Sequence, residues 1–299
     1  MSTITQTVLL ATDGSEDAAL ALKAAVDIAA KSGAALSLVH VYVPELGYAG
    51  LGLGLPPEGY VDEHKQRARE ILEGEAKKAA AAGAKLSGEY LRAGRTWEQI
   101  VDLAEEIEAG LIVMGARGTG AVKRLSLGSV SGEVARHAPC PVLVVRGGKD
   151  AWPPSRIVVG EDSSEESRRA SELSTALAGL FGLSPLLVRV VPPSLSSRDA
   201  TPQEEQLVAD GLRANEERLR DAADKLRERF GVDCDTRVAE GEAAAIVLEA
   251  ANSDTNEAST LIALGGRGLG GATRHSELGS TSTDVLHAAA GPVLLVDPA

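Results

Sequence analysis

One turn is written twice in this chain, about 150 residues apart, and that duplication constrains the fold more than any other feature. Leu111-Ile112-Val113-Met114 runs into Gly115-Ala116-Arg117-Gly118, and nine residues separate Gly118 from Gly128-Ser129. Leu261-Ile262-Ala263-Leu264 runs into Gly265-Gly266-Arg267-Gly268, and ten residues separate Gly268 from Gly279-Ser280. Other landmarks keep nearly the same offset: Asp13 and Asp162 lie 149 apart, Pro141 and Pro292 lie 151 apart. A period this long, with a full set of strands and helices inside each copy, predicts duplicated domains and not a solenoid of short repeats.

Strands are expected near 7–12, 35–43, 86–92, 111–114 and 141–145, with helices near 15–32, 62–82, 95–109 and 128–137. The second half repeats the order, with strands near 156–160, 185–191, 233–238, 260–264 and 292–296 and helices near 164–181, 203–230, 242–252 and 280–289. Short all-apolar strands such as Val142-Leu143-Val144-Val145 suit a sheet covered on both faces. Regular alternation of strand and helix predicts two tandem Rossmann-like α/β domains, each a five-stranded parallel sheet with helices on both faces. The expected boundaries are 1–147 and 156–299, joined by a Gly- and Pro-rich linker over 148–155. Stretches 44–60 and 192–202 follow the second strand of each half and read as mobile surface loops, with a lid role as the alternative.

Charge narrows the partners. The chain carries a net charge of −13, of which −3 falls in residues 1–150 and −10 in the remainder. An acidic surface repels phosphate backbones and anionic lipid, so neither nucleic acid nor membrane is expected as a partner. A bound nucleotide must then be held by local dipoles and a few placed cations. Cys140 and Cys234 form no metal or redox spacing, and Met1–Gln6 lacks a basic lead into an apolar signal core. With no apolar run near the ~20 residues of a membrane span, a cytoplasmic protein is expected.

The first glycine turn has the chemistry of a phosphate cradle. Glycines let backbone N–H groups approach an anion, and the helix that follows adds the positive end of its dipole. Gly115 and Gly118 supply the turn, Gly128 and Ser129 open the helix, and Arg117, Lys123 and Arg124 lie between them as cations. The first strand ends in Thr12-Asp13-Gly14-Ser15. A carboxylate there can accept from ribose hydroxyls, whereas Asp13 and Ser15 could equally cap the next helix.

These residues together carry a resemblance. Ala11-Thr12-Asp13-Gly14-Ser15, the Met114–Gly118 turn, Gly128-Ser129-Val130 and Ala138-Pro139-Cys140-Pro141-Val142 resemble the universal stress protein family. The ATP-binding branch of that family is marked by Gly, two residues, Gly, nine residues, then Gly-Ser or Gly-Thr. The resemblance implies an adenine nucleotide α hydrolase-like fold in tandem and a site for ATP with Mg2+ or Mn2+. Asp13 would meet ribose, with Ala11 and Thr12 beside it, and the Val41 backbone would meet adenine. Met114, Gly115, Arg117, Gly118, Gly128, Ser129 and Val130 would surround the phosphates. It also implies pairing of domains through their last strands, here 142–145 and 293–296, as a pseudo-twofold pair within the chain, and a homodimer beyond it.

The second half departs from the pattern. Its counterpart residues are Asp162, Val190, Gly265, Gly268, Gly279 and Ser280, but Ser163 replaces Gly14, Thr273 replaces Lys123, and ten residues stand where nine are required. The extra residue either bulges in a loop or swings Gly279-Ser280 off the phosphate. Gly266–Gly271 also matches Gly-x-Gly-x-x-Gly, with Asp297 26 residues beyond. That fingerprint belongs in the first unit of a sheet, so NAD is not expected. His40, mid-strand, reads as a satisfied core residue, and His275 is the histidine with ligand access. No general base or nucleophile stands beside the cradle. The sequence therefore favours nucleotide-dependent stress response or signalling, through protein partners it does not name. Slow ATP hydrolysis or phosphoryl transfer, or a nucleotide-free interaction module, are the alternatives.

Overall fold

A computed structural model of the chain describes residues 7–43, 59–118, 127–148, 150–193, 201–253, 259–266 and 278–296. The first unit is built from β1 (Thr7–Ala11), α1 (Glu16–Ser32), β2 (Leu36–Tyr42), α2 (Tyr60–Ala81), β3 (Leu86–Ala93), α3 (Thr96–Glu106), β4 (Ala109–Gly115), α4 (Ser129–His137) and β5 (Val142–Val145). The second repeats it as β6 (Arg156–Gly160), α5 (Glu165–Phe181), β7 (Leu186–Val191), α6 (Pro202–Phe230), β8 (Asp235–Glu240), α7 (Ala243–Asn252), β9 (Thr260–Gly265), α8 (Ser280–Ala288) and β10 (Val293–Val296). The two compact units meet in sequence between Trp152 and Pro153.

Within the first unit the strands run β3-β2-β1-β4-β5, all parallel. Parallel neighbours need right-handed crossovers. The chain moves outward from β1 to β3 and then jumps back to β4, so α1 and α2 cover one face while α3 and α4 cover the other. The middle strands accordingly read as apolar runs: Val8, Leu9 and Leu10 of β1 and Leu111, Ile112 and Val113 of β4 are fully buried. β3 alternates between half-buried and exposed residues, as a strand on the sheet's rim should. In the second unit the order is β8-β7-β6-β9-β10, again all parallel.

Local signals set the helix ends. Ser15 caps α1 by accepting from the Ala18 N–H, and Gly33 closes it with a left-handed φ of +76° while donating to the Ala29 carbonyl. Between these caps Ala21, Ala24, Ala25 and Ile28 are buried. The small alanines let α1 lie close against β4. Within the stretch read as a linker, Ala151 and Trp152 are buried. The Trp152 indole donates to Asp27 Oδ2 at 3.0 Å, and Lys23 Nζ donates to the Trp152 carbonyl at 2.6 Å. Two residues of α1, one turn apart, thus hold the chain where it leaves the first unit.

Candidate functional site

At β1 the winding of the first unit reverses: β2 lies on one side and β4 on the other. Crevices at such switch points, outside the carboxyl ends of the strands, are where open parallel sheets receive ligands. A cavity of about 680 Å³ lies there, inside the roughly 300–1,000 Å³ range of small-molecule sites. Eleven first-half residues named in the sequence analysis line it: Ala11, Thr12 and Asp13 at the end of β1, Val41 on β2, Met114, Gly115, Arg117 and Gly118 at the end of β4, and Gly128, Ser129 and Val130 at the start of α4. Strand register puts Ala11 level with Met114 on one side and Val39 on the other.

The turn after β1 divides the two roles left open for Asp13 and Ser15. Capping of α1 falls to Ser15, while Asp13 Oδ1 accepts the Ser15 N–H at 3.0 Å and folds the turn. The other carboxylate oxygen faces Gly118, where an added Cβ would lie 2.5 Å from Asp13 Oδ2. Gly115 and Gly128 are tight for a different reason. A Cβ on Gly115 would lie 2.8 Å from the Asp17 carbonyl carbon, and one on Gly128 would lie 2.9 Å from the Ala116 carbonyl oxygen. These two glycines make room for backbone, whereas Gly118 makes room for a carboxylate.

The N-terminus of α4 faces the cavity with no side chain capping it. Its first-turn N–H groups, among them those of Ser129 and Val130, have no partner within the helix and form the positive end of its dipole. The helix start is held firmly: Gly128 N–H donates to the Ala116 carbonyl at 2.8 Å, and Ser131 Oγ donates to the same oxygen at 2.7 Å.

Arg117 is also tied to α1. Its guanidinium grips Asp17 in two places, Nε to Oδ2 at 2.8 Å and Nη2 to Oδ1 at 2.9 Å, and its backbone N–H adds a third bond at 3.2 Å. The charge read as serving phosphate is first committed to α1. That hydrogen-bonded carboxylate raises the Arg117 pKa, against the opposing effect of burial. Arg146 is buried nearby, its pKa lowered by burial and then by the Arg117 charge. Asp17 and, behind it, Glu16 are the carboxylates that face the Arg117 charge. Lys123 and Arg124 lie outside the described residues, as does the stretch 44–58. Among the described residues, no group of three or more His, Cys, Asp or Glu side chains is placed to hold a metal ion.

Several lining residues escaped the sequence reading. His40 is buried, and its Nδ1 donates to the Thr12 carbonyl at 2.7 Å, as expected of a satisfied core residue, yet its ring also lines the cavity. Ile71 lines it as well. One turn further along α2, the buried Glu75 accepts from Thr12 Oγ1 at 3.3 Å through one oxygen and from Lys78 Nζ at 2.7 Å through the other. Ile71 and Glu75 share a helix face at i, i+4 spacing, but nothing in that spacing names a turn 60 residues earlier as what they back.

In the second unit the glycine frame after β9 and before α8 is retained. Gly279 N–H donates to the Gly266 carbonyl at 2.8 Å, repeating the Gly128–Ala116 bond, so the extra residue does not displace Ser280 and the start of α8. Gly265 packs against α5 as Gly115 packs against α1. Asp162 Oδ1 accepts the Ser164 N–H at 2.9 Å, as Asp13 does from Ser15. Ser163 takes a φ of +70° where Gly14 has +74°. Val190 follows Arg189 on β7. Gly268, Thr273, His275 and the rest of the Gly-x-Gly-x-x-Gly stretch beyond Gly266 lie outside the described residues, as do 194–200. The change lies at the other end, where Glu161 and Arg189, both buried, form an ion pair.

Comparison with known proteins adds the family. The pattern of the universal stress protein family matches residues 5–146 and again 154–297. The chain belongs to that family. It is a tandem universal stress protein, and curated single-domain members span about half of it. One from Thermus aquaticus is 42% identical over 142 residues, which is 47% of this chain and 98% of that protein. YxiE of Bacillus subtilis is 37% identical over 144 residues, 46% of this chain and 97% of its own length. Among solved structures, a universal stress protein from Archaeoglobus fulgidus aligns over 97% of this chain and 96% of its own, with a TM-score of 0.67 and 25% identity. No helix among the described residues is long and apolar enough to cross a membrane.

Proposed function

We propose that the first domain of this universal stress protein binds an adenine nucleotide, ATP with a divalent cation, and that occupancy sets the protein's interactions in a stress response. Convergence carries the reading: residues from three segments picked out by chemistry in the sequence, and Val41 from a fourth that the family resemblance implies, line one cavity at the switch point. The donor set fits the ligand's parts. Asp13 offers a carboxylate to ribose hydroxyls, the Val41 backbone offers polar atoms to the base, and the open end of α4 offers N–H groups to phosphates, with the Arg117 guanidinium in the same lining.

Mg2+ or Mn2+, held through phosphate oxygens, would neutralise charge that the described lining does not. Asp13 is the one carboxylate among the described lining residues, and this reading assigns it to ribose, so the reading is binding without turnover. Calorimetric titration with ATP and magnesium tests it, backed by a thermal melt. Ligand at ~100 times its dissociation constant stabilises the native state by ~2.7 kcal/mol. No heat and an unchanged melt would sink the proposal and leave a nucleotide-free interaction protein. Steady phosphate release that Gly118→Ala abolishes would sink the no-turnover part alone.

A further inference from the structure

Resting on that reading of the first domain, we infer that the second domain excludes nucleotide through its Glu161–Arg189 pair, so the chain carries one nucleotide site in two similar frames. Backbone pairing fixes the correspondence. Thr12 N–H donates to the Val39 carbonyl at 3.0 Å, and Glu161 N–H donates to the Val188 carbonyl at 2.9 Å. Glu161 therefore stands where Thr12 does, Arg189 where His40 does, and Ser163 where Gly14 does. Both His40 and Thr12 line the first domain's cavity.

His40 reaches the Thr12 carbonyl and ends there. Arg189 approaches the same carbonyl, Nε to Glu161 O at 3.4 Å, and then continues: Nη2 donates to Glu161 Oε2 and, at 2.6 Å, to Ser163 Oγ. A longer side chain spans the turn at the base and ribose end and is tied to it at three points. Both charged side chains are only 6% exposed. A ligand entering this end must part the pair and leave a buried charge without its partner, which weakens binding by about a hundredfold or more. The glycine frame alone excludes nothing, because Gly279 keeps its anchor.

The test is stoichiometry. The full chain is titrated with ATP and magnesium as wild type and as the triple variant Glu161→Thr/Ser163→Gly/Arg189→His, with a thermal melt showing that each is folded. One equivalent in wild type and two in the triple variant support the inference. Two equivalents in wild type overturn it and leave the nucleotide reading intact, as does one equivalent in both. No binding in wild type with one equivalent in the variant supports it while refuting the first-domain site, and no binding in either overturns both. Should the triple variant fail to fold, photolabelling wild type with 8-azido-ATP decides. Label confined to peptides before residue 150 supports the inference, and label on peptides spanning 161–191 overturns it.

Discussion

Gly118→Ala separates the binding chemistry of the cavity from the packing beneath it. The new Cβ would lie 2.5 Å from Asp13 Oδ2 and 3.6 Å from Asp13 Cγ, with no backbone atom of the described residues crowding it. The end of a side chain can swing away, so the fold survives. What is lost is the carboxylate's position, its bond to the Ser15 N–H included. One such bond contributes about 1 kcal/mol, or about 2–4 °C in Tm for a domain near 150 residues. The loss to ligand is larger, because a hydrogen bond to a charged group contributes about 1.5–3 kcal/mol. That corresponds to roughly 10- to 150-fold in Kd. Gly115→Ala is the contrast, since its Cβ meets the Asp17 carbonyl carbon at 2.8 Å and the Ala18 nitrogen at 2.9 Å, and α1 itself must move. Overpacking of that kind costs about 1–3 kcal/mol. Calorimetry for ATP and a ligand-free melt for each variant check the pair. If Gly118→Ala is destabilised more than Gly115→Ala, or its affinity stays within twofold of wild type, the division of roles is wrong.

Further outcomes follow from single contacts. Asp17→Asn removes the carboxylate that Arg117 grips twice and destabilises the first unit by about 1.5–3 kcal/mol in urea unfolding. Trp152→Ala empties a fully buried site on α1 and costs about 3–5 kcal/mol, read as a shift in the urea midpoint. Burial pushes the Cys140 thiol up to about 12, and burial also raises that of Cys234. A thiol reagent at pH 8 should therefore modify native protein far more slowly than urea-unfolded protein. The sign for stability follows: the Cys140 thiol stays neutral in the folded state while the unfolded thiol ionises near 9, so stability falls between about pH 9 and pH 12. Cys140→Ala should flatten that part of the alkaline limb relative to wild type.

The parts of the site legible in sequence are those whose reason is local. Gly115, Gly118, Gly128 and Ser129 follow one strand and open one helix, and spacing alone brings them to a single turn. Ser15 caps α1 from three residues away, a geometry that residue type announces. Residues whose partners lie across the fold stayed silent. Glu75 is a carboxylate on a charged helix until α2 is laid over the β1 turn, where it becomes a buried acceptor for Thr12. Arg117 reads as a phosphate cation, and its second role, gripping Asp17, shows only once α1 is laid beneath it. The second domain makes the point most sharply. Its visible irregularity, ten residues where nine are required, leaves Gly279 bonded to Gly266 just as Gly128 is to Ala116. Loops absorb insertions at little cost because closure entropy grows slowly with length. Glu161 and Arg189 break no motif, yet they put two charges where the first domain has a threonine and a histidine. Buried charges cannot be absorbed by relaxation, since each must keep its partner. The inferred difference between the domains in nucleotide binding therefore rests on a pair that only strand register brings into view.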